Sequence, residues 1–147
     1  MRILVINPGS TSTKVAVYED ERPVLLRNIR HTAEELRAYP TSFDQLPLRQ
    51  NKIVQTLEEE EIPFAFDAIV GRGGLTHPIP AGVYRVNAQM LHDTRTAIRQ
   101  HVCNLGCHIA AALASKIDHC EALIADPVIV DEMCPEARIS GSPDMRR

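Results

Sequence analysis

Four groups of residues in this sequence have types and spacing that could do chemistry. The first is Asn7-Pro8-Gly9-Ser10-Thr11-Ser12-Thr13-Lys14, where turn formers and hydroxyls sit between two apolar runs. A tight turn there exposes consecutive backbone N–H groups, and hydroxyls beside one lysine make such a concavity suited to a phosphate. It is neither G-x-x-x-x-G-K-[ST] nor G-x-G-x-x-G. Its composition also describes a plain Ser/Thr-rich hairpin turn. The second is Arg72, set between Gly71 and Gly73-Gly74 at the end of an apolar run. Glycines let a ligand approach the backbone, and a guanidinium can clamp a carboxylate or phosphoryl group with two bonds. A lone exposed arginine in a loop would need no function. The third is His101, at the junction of two helical segments, able to stabilise a transferring group or simply to cap a helix. The fourth is Asp126, at the carboxyl end of a strand-like run, where ligands bind in α/β sheets. Asp126-Pro127 is equally an ordinary turn opener. Each signal is weak alone. Together they supply an anion loop, an arginine, a histidine and an aspartate. That set fits phosphoryl transfer, in which positioning and charge neutralisation dominate.

Elements must hold these residues. Residues 2–7 form a compact apolar run that suits a buried strand. Lys14 to Tyr18 and Pro23 to Ile29 read as two more strands, completing a three-strand meander. Thr32 to Leu36 can start a short helix that Pro40 stops. Ile53, Val54 and Leu57 have helical spacing within a segment from Phe43 to Glu61, and Glu58 to Glu61 is its solvated end. Phe66 to Val70 is a fourth strand that runs into a loop at Gly71 to Gly74. Gly82 to Val86 allows a short strand. Asn87 suits the N-cap of a helix reaching Gln100, with Met90, Leu91, Thr94 and Ile98 facing inward. A second, alanine-rich helix runs from Asn104 to Lys116. Glu121 to Ala125 is a further strand, and the stretch after Pro127 is irregular. This alternation defines an α/β domain with a mixed sheet flanked by helices.

Composition sets the outer limits. The chain has 147 residues, 44% hydrophobic and 24% charged, with net charge −3. Those values fit one ordinary globular domain. No run approaches the ~18 apolar residues of a membrane helix. The four apolar residues after Met1-Arg2 are too few for a signal segment. A mildly acidic chain without Trp is a poor candidate for binding nucleic acid. Cys103, Cys107, Cys120 and Cys134 match no zinc spacing, even with His108 and His119 included, and read as structural thiols of a reduced, cytoplasmic protein.

The residues also carry a family resemblance. Ile3-Leu4-Val5-Ile6-Asn7-Pro8-Gly9-Ser10-Thr11-Ser12-Thr13-Lys14 resembles the amino-terminal signature of the acetokinase family, its Pro8 and Thr-Ser-Thr run closest to the butyrate kinase branch. Val70 to Leu75, Tyr84 to Asn87, His101 to Gly106, Asp126 to Glu132 and Ala137 to Gly141 are similar to later blocks of that branch, in order. The resemblance implies a carboxylate kinase: butyryl phosphate and ADP interconverting with butyrate and ATP. It implies a ribonuclease H-like fold of the actin, sugar kinase and heat-shock cognate superfamily. In that setting Asn7 would lie near the phosphates and, through water, the Mg²⁺. Gly9, Ser10, Ser12 and Lys14 would form the first phosphate loop. Arg72 would bind the carboxylate or the transferring group, His101 would sit beside the substrate, and Asp126 would orient the nucleophile or the metal. A carboxylate is already anionic and needs no base, but its approach to a polyphosphate needs positive charge.

Two departures are small: Ala81-Gly82 stands where paired glycines are expected, and Val102-Cys103 replaces Ala-Ser beside the histidine. The family also continues past Arg147 into a nucleotide-binding domain. The expectation is that residues 1–147 are the amino-terminal domain of a protein that is a homo-oligomer at full length. The alternatives are an acetate or branched-chain carboxylate kinase, or a domain with only a phosphate-binding or oligomerisation role.

Overall fold

The structure is a computed structural model that describes residues 1–130, 132–139 and Gly141. Asp131 and Ser140, within two of the recognised blocks, lie outside the described residues, as do residues 142–147. Three antiparallel strands open the chain: β1 (Arg2–Pro8), β2 (Ser12–Glu19) and β3 (Arg22–Arg30). α1 (Ala33–Arg37) follows. Its cap Thr32 accepts the Glu35 N–H, and the Glu35 carboxylate returns a bond to the Thr32 N–H. This capping box explains why so short a helix forms there. A 3₁₀ turn at Phe43–Gln45 leads into α2 (Leu46–Glu59). Then come β4 (Ala68–Arg72), β5 (Val83–Arg85), α3 (Ala88–Thr96), a 3₁₀ turn at Val102–Asn104, α4 (Leu105–Ala114) and β6 (Glu121–Ala125).

The sheet order is β3-β2-β1-β4-β6-β5. β1, β4 and β6 are parallel, while β2 and β5 run antiparallel to their neighbours. The carboxyl ends of the three parallel strands therefore share one edge of the sheet, bringing Asn7, Arg72 and Asp126 to that edge. One sheet face is sealed by α2 and α4. Leu4, Ile6, Val15 and Val17 meet Ile53, Leu57, Ile109 and Leu113 in one buried cluster. A smaller cluster of Met90, Cys107 and Ile124 ties α3 and α4 to β6.

The structure corrects the sequence reading at two places. α3 stops at Thr96 rather than Gln100, and Ile98 is fully exposed instead of inward. Side chains take over the carbonyls that another turn would have used. The Gln100 amide donates to Arg95 O and Ala97 O, and the buried Asn104 amide donates to Thr94 O. The fourth strand also starts at Ala68 and continues through Gly71 and Arg72, which are strand rather than loop.

The glycines there serve packing more than ligand access. A Cβ on Gly71 would fall onto the Gly106 carbonyl, and a Cβ on Gly106 would fall onto the Arg72 carbonyl. On Gly73 it would meet Pro127 at 2.6 Å, and on Gly74 it would meet Asn104 at 2.7 Å. The end of β4 and the first turn of α4 are thus in backbone contact. Gly106→Ala places a methyl against a main-chain carbonyl that cannot yield cheaply. We expect it to lower unfolding free energy by at least about 3 kcal/mol, the upper end of ordinary overpacking. Gly141→Ala, in open space, should stay within about 0.5 kcal/mol. Thermal or denaturant melts of the two variants check this.

Candidate functional site

β1 and β2 are joined by Gly9 to Thr11, and the turn closes with the Gly9 N–H donating to Ser12 O at 2.7 Å. The loop's carbonyls turn inward. Thr11 O accepts from the His31 N–H at 2.9 Å. Ser12 O and Ser10 O accept from the Arg49 guanidinium at 3.2 and 3.4 Å. The N–H groups of Ser10 and Thr11 donate to no acceptor among the described residues. Amides without an acceptor among the described residues, in two exposed residues, and carbonyls tethered from behind give the loop the form of an anion cradle.

Lys14 stands opposite Asn7 in the β1–β2 register, so the two share a face. Arg72, the last residue of β4, is exposed. Neither cation is in an ion pair among the described residues. His101 caps the 3₁₀ turn, its Nδ1 accepting the Cys103 N–H at 3.2 Å. A ring nitrogen that accepts carries no proton, so the neutral ring presents its N–H at Nε2. The capping role and a ligand-facing role are thereby compatible.

One cavity of about 560 Å³ collects most of these groups. Asn7, Gly9, Ser10 and Ser12 line it on the loop side, with Lys14, Arg72 and His101 around them. Pro8, Leu75, Cys103 and Val128 supply its apolar wall. Burial pushes the Cys103 thiol up, while the nearby Arg72 charge pulls the other way. Asp126 is not in this cavity. It lines an adjoining one of about 350 Å³ that shares Asn7 and Arg72 with the first. Its backbone is held at φ 38°, a left-handed conformation that aspartate tolerates better than most residues. Two bonds to Gly82 fix it: Asp126 N–H to Gly82 O at 3.0 Å, and Gly82 N–H to Asp126 Oδ1 at 2.9 Å. Oδ2 is left without a protein partner among the described residues.

Sequence reasoning missed the groups behind the site. Asn104 is fully buried, and its Oδ1 accepts the Leu75 N–H at 3.0 Å. It fixes the segment after Arg72 to the turn after His101. Arg49 is also fully buried. It donates to Thr13 Oγ1 at 2.9 Å and to Gln45 Oε1. Thr13 in turn bonds His31 Nε2 at 2.8 Å. A signal for Arg49 existed: it lies four residues before Ile53 and eight before Leu57, on the apolar stripe of α2.

Cys103 and Cys107 are buried free thiols, the latter bonded to Asn104 O and Thr94 Oγ1. Among the described residues no three His, Cys, Asp or Glu side chains group to hold a metal. Among the described residues no helix is long and apolar enough to cross a membrane.

These features define a class. The β3-β2-β1-β4-β6 core, with its site at the ends of parallel strands, has the fold seen in acetate kinase. It superposes on acetate kinase from Entamoeba histolytica with TM-score 0.55 at 14% identity, covering 98% of this chain and 39% of that one. At the sequence level the chain is similar to butyrate kinases. It is 61% identical over 145 residues to a probable butyrate kinase of Bacteroides thetaiotaomicron, covering 99% of this chain. It is 47% identical over 148 residues to butyrate kinase 1 of Clostridium acetobutylicum, again covering 99% of this chain. The chain spans about 41% of the length of each relative. No family profile matches it. The resemblance read from the motifs is thus borne out along the chain.

Burial, reinforced by Arg49 and Lys52 and opposed by Glu35, pushes the His31 pKa down to about 4 from 6.5. The unfolded chain binds this proton first, so folding loses stability as pH falls through the window from about 6.5 to about 4. The difference corresponds to roughly 3 kcal/mol. His31→Gln should flatten that part of the stability profile relative to the unsubstituted chain. Denaturant titrations at stepped pH measure it, and parallel slopes would contradict the assignment.

Proposed function

We propose that this chain is the amino-terminal domain of an ATP-dependent carboxylate kinase that interconverts butyrate and ATP with butyryl phosphate and ADP. The observation that carries the reading is the cavity in which an anion loop, Lys14 and Arg72, both without an ion pair among the described residues, and His101 converge, in a chain similar throughout to butyrate kinases. In this reading a second domain supplies the nucleotide-binding half.

The residues divide the work. A butyrate oxygen attacks the γ-phosphorus of ATP as the bond to the ADP oxygen breaks, and no proton needs to be removed. The obstacle is repulsion between anions. Lys14 and Arg72 offset it, Arg72 with a fork that suits a carboxylate or a phosphoryl group. The Ser10 and Thr11 amides, with the Ser10 and Ser12 hydroxyls, hold phosphate oxygens. His101 donates its Nε2 proton in a hydrogen bond to an oxygen whose charge grows in the transition state. Asn7 and Asp126 share the adjoining cavity, and the unpartnered Asp126 oxygen fits a magnesium ion that keeps most of its ligands as water and phosphate. Such an ion would draw charge from the transferring oxygens. The cytoplasm is the compartment that fits this chemistry, and a homo-oligomer the assembly we propose at full length.

In a full-length protein carrying this sequence, Arg72→Ala should lower butyryl phosphate formation by about 10²-fold or more. A hydroxamate assay for acyl phosphate measures it, and unchanged turnover would remove Arg72 from the chemistry. The 147-residue chain alone should bind Mg-ADP weakly or not at all by isothermal titration and form no butyryl phosphate. Robust turnover by it would show that no second domain is needed.

A further inference from the structure

Arg49 is a cation that the proposed chemistry does not use. It is fully buried on α2. Every partner it has among the described residues is neutral: the Ser10 and Ser12 carbonyls, the Thr13 hydroxyl and the Gln45 amide oxygen. The charged and titratable groups nearby do not neutralise it. Lys52 on the same helix is paired with Glu35 of α1 at 2.6 Å, and His31 at the end of β3 meets Thr13 through its ring nitrogen. Buried guanidinium groups ordinarily have a carboxylate partner, because desolvation of a lone charge is costly. Burial indeed pulls the Arg49 pKa below its ordinary value.

The position of that unmatched charge is informative. Arg49 lies directly beneath the turn whose amides at Ser10 and Thr11 have no acceptor among the described residues. Its bond to Ser10 O polarises the peptide whose other end is the Thr11 N–H, and a polarised peptide donates more strongly from that end. We propose that Arg49 is a positioning residue for the anion loop: it holds the Ser10 and Ser12 carbonyls and leaves the Ser10 and Thr11 amides for a ligand at the cavity that Ser10 lines, and an anion bound there supplies its missing counter-charge. The ligand class is a phosphoryl oxyanion. The proposal deepens the kinase reading and rests on the loop being a phosphate site.

The test is amide and arginine side-chain NMR of the 147-residue chain during titration with inorganic phosphate and then pyrophosphate. In the unsubstituted chain the Ser10 and Thr11 amides should shift, and the Arg49 Nε–H signal should shift with the same titration curve. Arg49→Met should bind phosphate about tenfold more weakly or worse, the scale of a lost charge-assisted contact. Arg49→Lys, which keeps the charge but cannot span both carbonyls and Gln45, should recover part of that affinity. Thermal melts of the two variants separate stability from binding. A merely structural arginine would give Lys and Met variants whose affinities track their melting temperatures. A folded Met variant with undiminished phosphate affinity overturns the proposal. If the Met variant does not fold, an Arg49 Nε–H signal that stays still while Ser10 and Thr11 move overturns it equally. An unsubstituted chain whose loop amides respond to neither anion contradicts the phosphate loop itself and the role of Arg49 with it.

Discussion

The contact on which the site depends is the backbone meeting of β4 and α4 at Gly71, Arg72 and Gly106. With no Cβ on either glycine, the helix start comes down onto the strand end. The 3₁₀ turn before α4 then lies beside Arg72, carrying His101 and Cys103 into the cavity that Arg72 lines. Asn104 fastens the same turn to Leu75 and to the end of α3. A side chain at either glycine would separate the helix from the strand and pull His101 away from Arg72. The glycines around Arg72 thus act on the site through packing, with ligand access a consequence of where they leave the guanidinium.

The opposite side of the cavity is arranged by a different device. The β1–β2 turn is held from below by Arg49 and His31, so its donors are left for solvent or ligand. Two principles meet there. A buried carbonyl needs a donor, and Arg49 and the His31 amide satisfy three loop carbonyls together. A buried cation needs a counter-charge, and none stands beside Arg49 among the described residues. The loop is therefore structurally satisfied and electrostatically open.

Much of this was legible in the sequence, and the unread parts have physical reasons. The meander, the Thr32 helix start, the Asn87 cap and the final strand follow from local pattern and capping chemistry. The six-stranded order does not, since nothing local to Val83 to Arg85 says that β5 leaves β4 to pair with β6 at the sheet edge. The loop, Lys14, Arg72 and His101 were legible as types at element ends and as a family resemblance. That they converge on one cavity, with Asp126 next door, is a matter of the parallel strand order. Ile98 misled because helical spacing continued past the point where the Gln100 side chain takes over the carbonyls. Arg49 went unread because a charge on an apolar stripe looks like an interruption of the pattern. It is better understood as the buried end of the loop.

In the proposed reading the loop, Lys14, Arg72 and His101 form one wall of a site for a carboxylate and a phosphoryl group together. Chemical-shift mapping of butyryl phosphate on the isotopically labelled chain tests it most directly. Perturbations should concentrate at the amides of Ser10 and Thr11 and at the side chains of Arg72 and His101, with butyrate alone affecting Arg72 more than the loop. Perturbations centred elsewhere, such as on the surface around His77, Asp93 and Ile98, would contradict it.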